Sequence, residues 1–201
     1  MNILSAEKIS KSYSEKILFN ELSIGISEGE KICLIGINGT GKSTLLKVLA
    51  GIEYPNQGNV IIGNNMKVEY LSQNPHFEKN VTVLEHVFKS NSPVMHLIRA
   101  YEQAMQKVHA NPDDLVWCKK LIDLSQKMDS MEAWSVEKEA KSILTKLGIV
   151  DFNALVENLS GGQKKRVAMA SALISPSDLL ILDEPTNHID NDTVDWLEKY
   201  L

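Results

Sequence analysis

Gly36-Ile37-Asn38-Gly39-Thr40-Gly41-Lys42-Ser43 completes the pattern G-x-x-x-x-G-K-[ST], and its surroundings decide how the chain is read. The apolar run KICLIG (31–36) leads into it and TLLKVLA (44–50) follows, which predicts a strand, a glycine loop and a helix in succession. Such a loop binds phosphate for a physical reason. Its glycines let the backbone wrap the oxygens, and the helix N-terminus offers free N–H groups and the positive end of its dipole. Lys42 is placed to reach β- and γ-phosphates, Thr44 opens the helix beside them, and the Ser43 hydroxyl suits Mg2+.

Leu159-Ser160-Gly161-Gly162-Gln163 is a second glycine loop before a second helix, KKRVAMASALI. One ATP does not ordinarily need both loops, so the second points to a nucleotide held by another domain. Downstream, DLLILD reads as a parallel strand buried on both faces. Asp183 ends it, at the carboxyl edge where ligands of α/β proteins sit. Asp183 is thereby placed to orient Mg2+, and Glu184 to polarise an attacking water. Gln73 follows a strand candidate and can reach metal and water, although a lone glutamine points to little by itself. Tyr13 can stack on a base or simply pack.

Bulk properties set the frame. A chain of 201 residues with 43% hydrophobic and 23% charged residues reads as one ordinary globular domain or one domain with a lobe. No apolar run nears the roughly 20 residues that span a bilayer, and MNILSAEKIS lacks a signal-peptide core, so the chain reads as cytosolic. Cys33 and Cys118 lack metal-ligand spacing and read as structural thiols. A net charge of −5 gives no whole-chain case for nucleic acid.

Along the chain, ILSAEKIS, ILFNELSIGI, KICLIG, NVIIG and KVEYL predict strands, and from about Thr82 to Leu147 the period is helical. Leu97, Ile98, Tyr101, Met105 and Val108 share one face; Leu115, Cys118, Ile122 and Met128 share another. Asn111 as cap and Pro112 in the first turn predict a helical hairpin over 93–131 with its tip at 109–114. A third helix over 132–147 stops at Gly148, and a last one starts near Asp192.

The glycine loop, LSGGQ and a strand ending in Asp183-Glu184, in this order, resemble ATP-binding cassette (ABC) domains over nearly the whole chain. The resemblance implies an α/β, P-loop NTPase (RecA-like) core with an antiparallel β subdomain and an inserted helical subdomain. It divides the chain into a β subdomain and P-loop part (1–75), a helical subdomain (76–158) and a signature-helix, Walker B and D-loop part (159–201). It implies ATP and Mg2+ as ligands, with Tyr13 at the adenine, Gly36 to Thr44 on phosphate, and Ser43, Gln73 and Asp183 at the metal. Lys42, Gln73 and Glu184 become the catalytic set. Ser160, Gly161, Gly162, Gln163 and Asp190 face the nucleotide or interface of a partner cassette. His188 gains no role, because the family's switch histidine belongs to a strand after the helix that starts near Asp192.

Glu184-Pro185-Thr186-Asn187-His188-Ile189-Asp190 resembles the EPTNHLD sequence of the ABC-F subfamily, whose members pair two cassettes in tandem without a membrane domain and in many cases act on ribosomes. The long interval between Gln73 and Ser160 matches the subfamily's arm, a helix pair that reaches toward tRNA and ribosomal RNA. The hairpin's cations are balanced by carboxylates, so the alternative of a merely enlarged helical subdomain stays open. The ATPase subunit of a membrane transporter is the second reading, and a nucleotide-binding fragment with little turnover alone is the third.

Overall fold

The computed structural model describes residues 1–89, 92–187 and 189–201; His188 lies outside the described residues. Two compact units emerge, Met1–Ser72 with Ser177–Asp183, and Gln73–Pro176 with Glu184–Leu201.

In the first unit, β1 (Asn2–Tyr13) and β2 (Lys16–Ser27) form a hairpin, and β3 (Gln57–Ile62) pairs antiparallel with the other edge of β1. Period-two alternation puts Leu4 and Ala6 on the inward face. A register shift between Glu7 and Ser10 then carries Ile9 inward as well. Gly58 makes that bulge possible: it sits at φ +80°, and a Cβ there would meet the Lys8 carbonyl oxygen at 2.3 Å. Helix α1 (Lys42–Leu49) buries Leu45, Val48 and Leu49 in one cluster with Leu4, Ala6, Ile9, Ile26 and Ile181. Each such side chain contributes roughly 1.5–3 kcal/mol of transfer free energy. Gly51, at φ +72°, ends the helix through its N–H to the Val48 carbonyl.

Strands β4 (Val68–Leu71) and β5 (Leu179–Leu182) form a parallel pair in register Val68–Leu179 to Leu71–Leu182. Lys67 and Asp178 lock its entrance: the Lys67 N–H donates to Asp178 Oδ2 at 2.8 Å and the Asp178 N–H to the Lys67 carbonyl at 2.9 Å. The expected strand at 31–36 is absent. Those residues are exposed and have no strand partner among the described residues, Ile35 being 88% exposed. An apolar run supplies the propensity for a strand but not its ladder partner, and β5 correspondingly has a single neighbour among the described residues instead of a place at a sheet centre. Cys33 is exposed with this segment.

The second unit is helical: α2 (Val83–Val87), α3 (Pro93–Ala110), α4 (Leu115–Ser130), α5 (Ala133–Lys146), α6 (Gly161–Ile174) and α7 (Asn191–Tyr200). Thr82 and Glu85 form a reciprocal capping box on α2. The hairpin of α3 and α4 is as the periodicity predicts, but its caps differ. Asn111 closes α3, and Asp114 caps α4 by accepting from the Val116 and Trp117 N–H groups. The packed stripe of α4 differs too. Leu124 and Met128 are buried with Trp117 and Leu121 beside them, whereas Leu115 and Ile122 are exposed at 73% and 61%. Between α3 and α5 the Lys141 ammonium bridges the buried carboxylates Glu102 and Glu137, an ion triad inside the helical layer.

His86, buried on α2 with its ring 4.6 Å from the Phe77 ring, has its pKa pushed down from 6.5 to about 4, by burial first and then by the nearby Lys89 charge. The unfolded chain therefore takes up a proton below about 6.5 that the folded chain refuses until about 4. Stability should fall as pH drops through that window, by up to roughly 3 kcal/mol from this group. Urea midpoints measured from pH 7 to 4 should show the loss, and His86→Leu should flatten it; equal slopes would contradict the assignment.

Candidate functional site

Each unit carries its own cluster of the residues that the sequence singles out. In the first unit, Gly39 at φ +79° and Gly41 at φ +96° turn the chain into α1, with Gly41 as N-cap. A side chain at Gly41 would also strike Leu18 Cβ at 2.9 Å. Residues 36–40 are exposed, and Gly41 to Thr44 are half-buried. Lys42 lies back over the loop, its Nζ donating to the carbonyls of Gly36 at 2.7 Å and Ile37 at 2.9 Å. Thr40 Oγ1 donates to the same Ile37 carbonyl, and Lys16 Nζ to that of Gly39. Asn38 stands at the exposed apex between them.

Across this unit, Ser43 Oγ donates to Asp183 Oδ1 at 3.0 Å, although 140 positions separate them. Asp183 is only 4% exposed, and its other oxygen, Oδ2, accepts from the Tyr70 hydroxyl at 3.1 Å. Burial, reinforced by the Asp183 carboxylate, pushes the Tyr70 phenol far above its ordinary pKa, so it remains a donor. A hydroxyl and a carboxylate converging in this way are hard oxygen donors, which fits Mg2+. Tyr70 was not singled out from sequence. The signal lay in the register: Tyr70 opposes Ile181, so it shares a sheet face with Asp183 two positions on.

Tyr13 is half exposed. Its hydroxyl donates to Glu53 Oε2 at 2.7 Å, which raises the phenol's pKa, and the Thr44 hydroxyl lies close enough to oppose that rise. Lys11 Nζ stands 5.5 Å from the ring centroid and 3.6 Å from the same Glu53 oxygen, while Lys47 pairs with the other. The ring thus stands outside the core, held by its hydroxyl.

The second unit gathers Gln73, Glu184 and Asn187. Gln73 Nε2 and Asn187 Nδ2 each donate to Glu184 Oε2 at 2.7 Å, and Glu184 itself has φ +52°. A non-glycine residue in the left-handed region is uncommon outside such constrained turns. Gln73, expected to serve metal and water, has its amide committed to Glu184 in this structure. Ser160 caps α6 through a capping box: its Oγ accepts from the Gln163 N–H at 3.3 Å, and Gln163 Oε1 accepts from the Ser160 N–H at 2.9 Å. Gly161 and Gly162 have nothing within 4 Å of where a Cβ would stand. Asp190 caps α7, accepting from the N–H and hydroxyl of Thr193, and these bonds hold its carboxyl below the usual range.

The family model described as "ABC transporter" matches residues 19–187. An uncharacterized ABC transporter ATP-binding protein of Bacillus subtilis, YfmR, is 49% identical over all of this chain and 32% of its own length. ABC transporter F family member 2 of Arabidopsis thaliana is 36% identical over 97% of the chain and 30% of its own. The energy-dependent translational throttle protein EttA of Mycobacterium tuberculosis is 32% identical over 99% of the chain and 36% of its own. The chain thus spans about a third of the length of these relatives. Among solved structures, an ATP-binding subunit of an ABC transporter superposes with a TM-score of 0.67 at 19% identity, covering 98% of this chain and 72% of that one, which shows the shared fold.

The open space at Gly162 separates packing from ligand approach. Gly162 has no positive φ and nothing near its missing side chain, so Gly162→Ala should fold normally and gain roughly 0.5 kcal/mol from reduced freedom of the unfolded chain. Thermal unfolding of the two proteins checks this; a drop in midpoint would show that the glycine serves packing.

Proposed function

The chain belongs to the ATP-binding cassette (ABC) family, and from that premise we propose that it is the ATP-binding and ATP-hydrolysing cassette of an ABC-F protein that acts on ribosomes in the cytoplasm. The observation that carries the nucleotide part is the 3.0 Å contact between Ser43 and Asp183, which joins the phosphate loop to the acid at the end of β5. The ribosomal part is supported by the Glu184–Asp190 sequence, by the 93–131 hairpin and by relatives named for the F family and for translational throttling. No helix among the described residues is long and apolar enough to cross a membrane.

In the proposed site, Lys42 leaves the carbonyls of Gly36 and Ile37 for the β- and γ-phosphates, while the backbone of Gly36 to Thr44 lines them. Tyr13 flanks the adenine. Ser43 and Asp183 would hold Mg2+, which when bound neutralises phosphate charge. Glu184 accepts the proton of the attacking water, with Gln73 and Asn187 steadying its carboxylate. Ser160, Gly161, Gly162 and Gln163 face the γ-phosphate of an ATP on a second cassette, and Asp190 lies at the interface between the two. That second cassette belongs to the rest of the protein or to a second copy. The hairpin is the part that reaches RNA.

Glu184→Gln tests the base directly in the full-length protein. It keeps size and hydrogen bonding but removes the proton acceptor, so turnover should fall by at least about 100-fold while ATP stays bound. Retained ATP on the variant, together with its retention on ribosomes in a sedimentation assay, is the expected result. Unchanged turnover would remove Glu184 from the role, and ATP retention without ribosome association would remove the ribosomal part.

A further inference from the structure

The Asp183 carboxylate has two oxygens, and the structure gives each its own hydroxyl: Ser43 on Oδ1 and Tyr70 on Oδ2. Ser43 belongs to the recognised phosphate pattern. Tyr70 belongs to no motif; it sits on β4, three residues before Gln73. Its reach follows from the ladder. Parallel pairing of Tyr70 with Ile181 places its side chain on the face from which Asp183 also projects, as a diagonal neighbour within range of a long aromatic side chain. The ring is itself fixed, because Tyr70 packs beside the buried cluster that contains Ile181, Leu45 and Val48. The Asp183 backbone is fixed as well, through its N–H to the Leu71 carbonyl at 3.1 Å. A carboxylate on a short strand end can rotate about its side-chain torsions; one whose Oδ2 is held by a ring-anchored phenol cannot do so without losing that bond.

We propose that Tyr70 is a positioning residue for the divalent cation: it holds Oδ2 of Asp183 so that Oδ1, the oxygen that meets Ser43, is the one presented to Mg2+. The inference rests on the nucleotide reading above and deepens it by adding a residue outside the recognised motifs. Hydrogen bonds that orient a metal-ligating carboxylate typically alter metal affinity by about 10-fold or more when removed. The bond is worth keeping for a second reason. Asp183 is buried, and without the phenol one of its oxygens would lose its partner in a poorly solvated place.

The test uses the full-length protein and a fluorescent ATP analogue as probe, titrated at increasing Mg2+ and in EDTA. Tyr70→Phe keeps the ring in the core and removes only the hydroxyl. The Mg2+ concentration for half-maximal probe binding should rise about 10-fold, with binding in EDTA unchanged. Asp183→Asn should itself lose most of the Mg2+ dependence, and adding Tyr70→Phe to it should change nothing further. If Tyr70→Phe leaves the Mg2+ requirement as it was, or weakens binding equally in EDTA, the proposal is overturned while the ATP reading stands. An additional loss in the double variant overturns it as well, because Tyr70 would then act elsewhere than through Asp183. Should the wild-type protein bind no probe under any condition, the ATP reading itself fails and takes the proposal with it.

Discussion

The meeting of Ser43 with the buried Asp183 is the contact on which the first unit's chemistry depends. It requires three separate constructions to coincide. The glycine loop must turn sharply enough for α1 to start at Lys42, which the left-handed Gly41 provides. The core of β1, β2 and β3 must seat α1 through Leu45, Val48 and Leu49, or Ser43 would point elsewhere. Finally, β5 must end at the correct height beside β4, which the Lys67–Asp178 bonds and the four-residue parallel register secure. A buried carboxylate is costly unless it is hydrogen-bonded, so the arrangement is tolerated because two hydroxyls and a fixed backbone support it.

The second unit solves a different problem with similar means. Its residues of interest stand at helix entrances and turns, where unpaired backbone groups must be met by side chains. Ser160 and Gln163 meet them reciprocally at α6, and Asp190 meets them at α7. Residues proposed for a partner's nucleotide or for an interface therefore already serve the fold, and replacing them tests two roles at once. Gly161 and Gly162 are the useful exceptions, because nothing packs where their side chains would stand. Glu184 is a third kind of case: its left-handed backbone and its two amide donors mark a carboxylate held in place.

Much of this was legible in the sequence where the determinants are local. The hairpin of α3 and α4, the end of α5 at Gly148 and the start of α7 after Asp190 follow from periodicity, glycine and capping chemistry within a few residues. What escaped depends on partners distant in the chain. The run at 31–36 has strand propensity, yet it has no neighbour to pair with among the described residues. On α4 the expected face of Leu115, Cys118, Ile122 and Met128 holds only at its C-terminal end: Met128 is buried, together with Leu124, whereas Leu115 and Ile122 are exposed, because packing against neighbouring helices and not periodicity alone selects the buried stripe. Asp114 prevailed over Asn111 as cap because α4 begins one turn later than Pro112 suggested. Tyr70 was hidden for the same reason as the strand: its significance is set by register with a segment more than a hundred residues away.

If the oxygen donors of Ser43 and Asp183 hold a divalent cation, nucleotide binding must depend on that cation. Calorimetric titration of the full-length protein with ATP, in Mg2+ and in EDTA, measures this. The prediction is tighter binding in Mg2+, with that increment lost in Ser43→Ala as well as in Asp183→Asn. Binding that is equally tight with and without Mg2+ in the unaltered protein would contradict it.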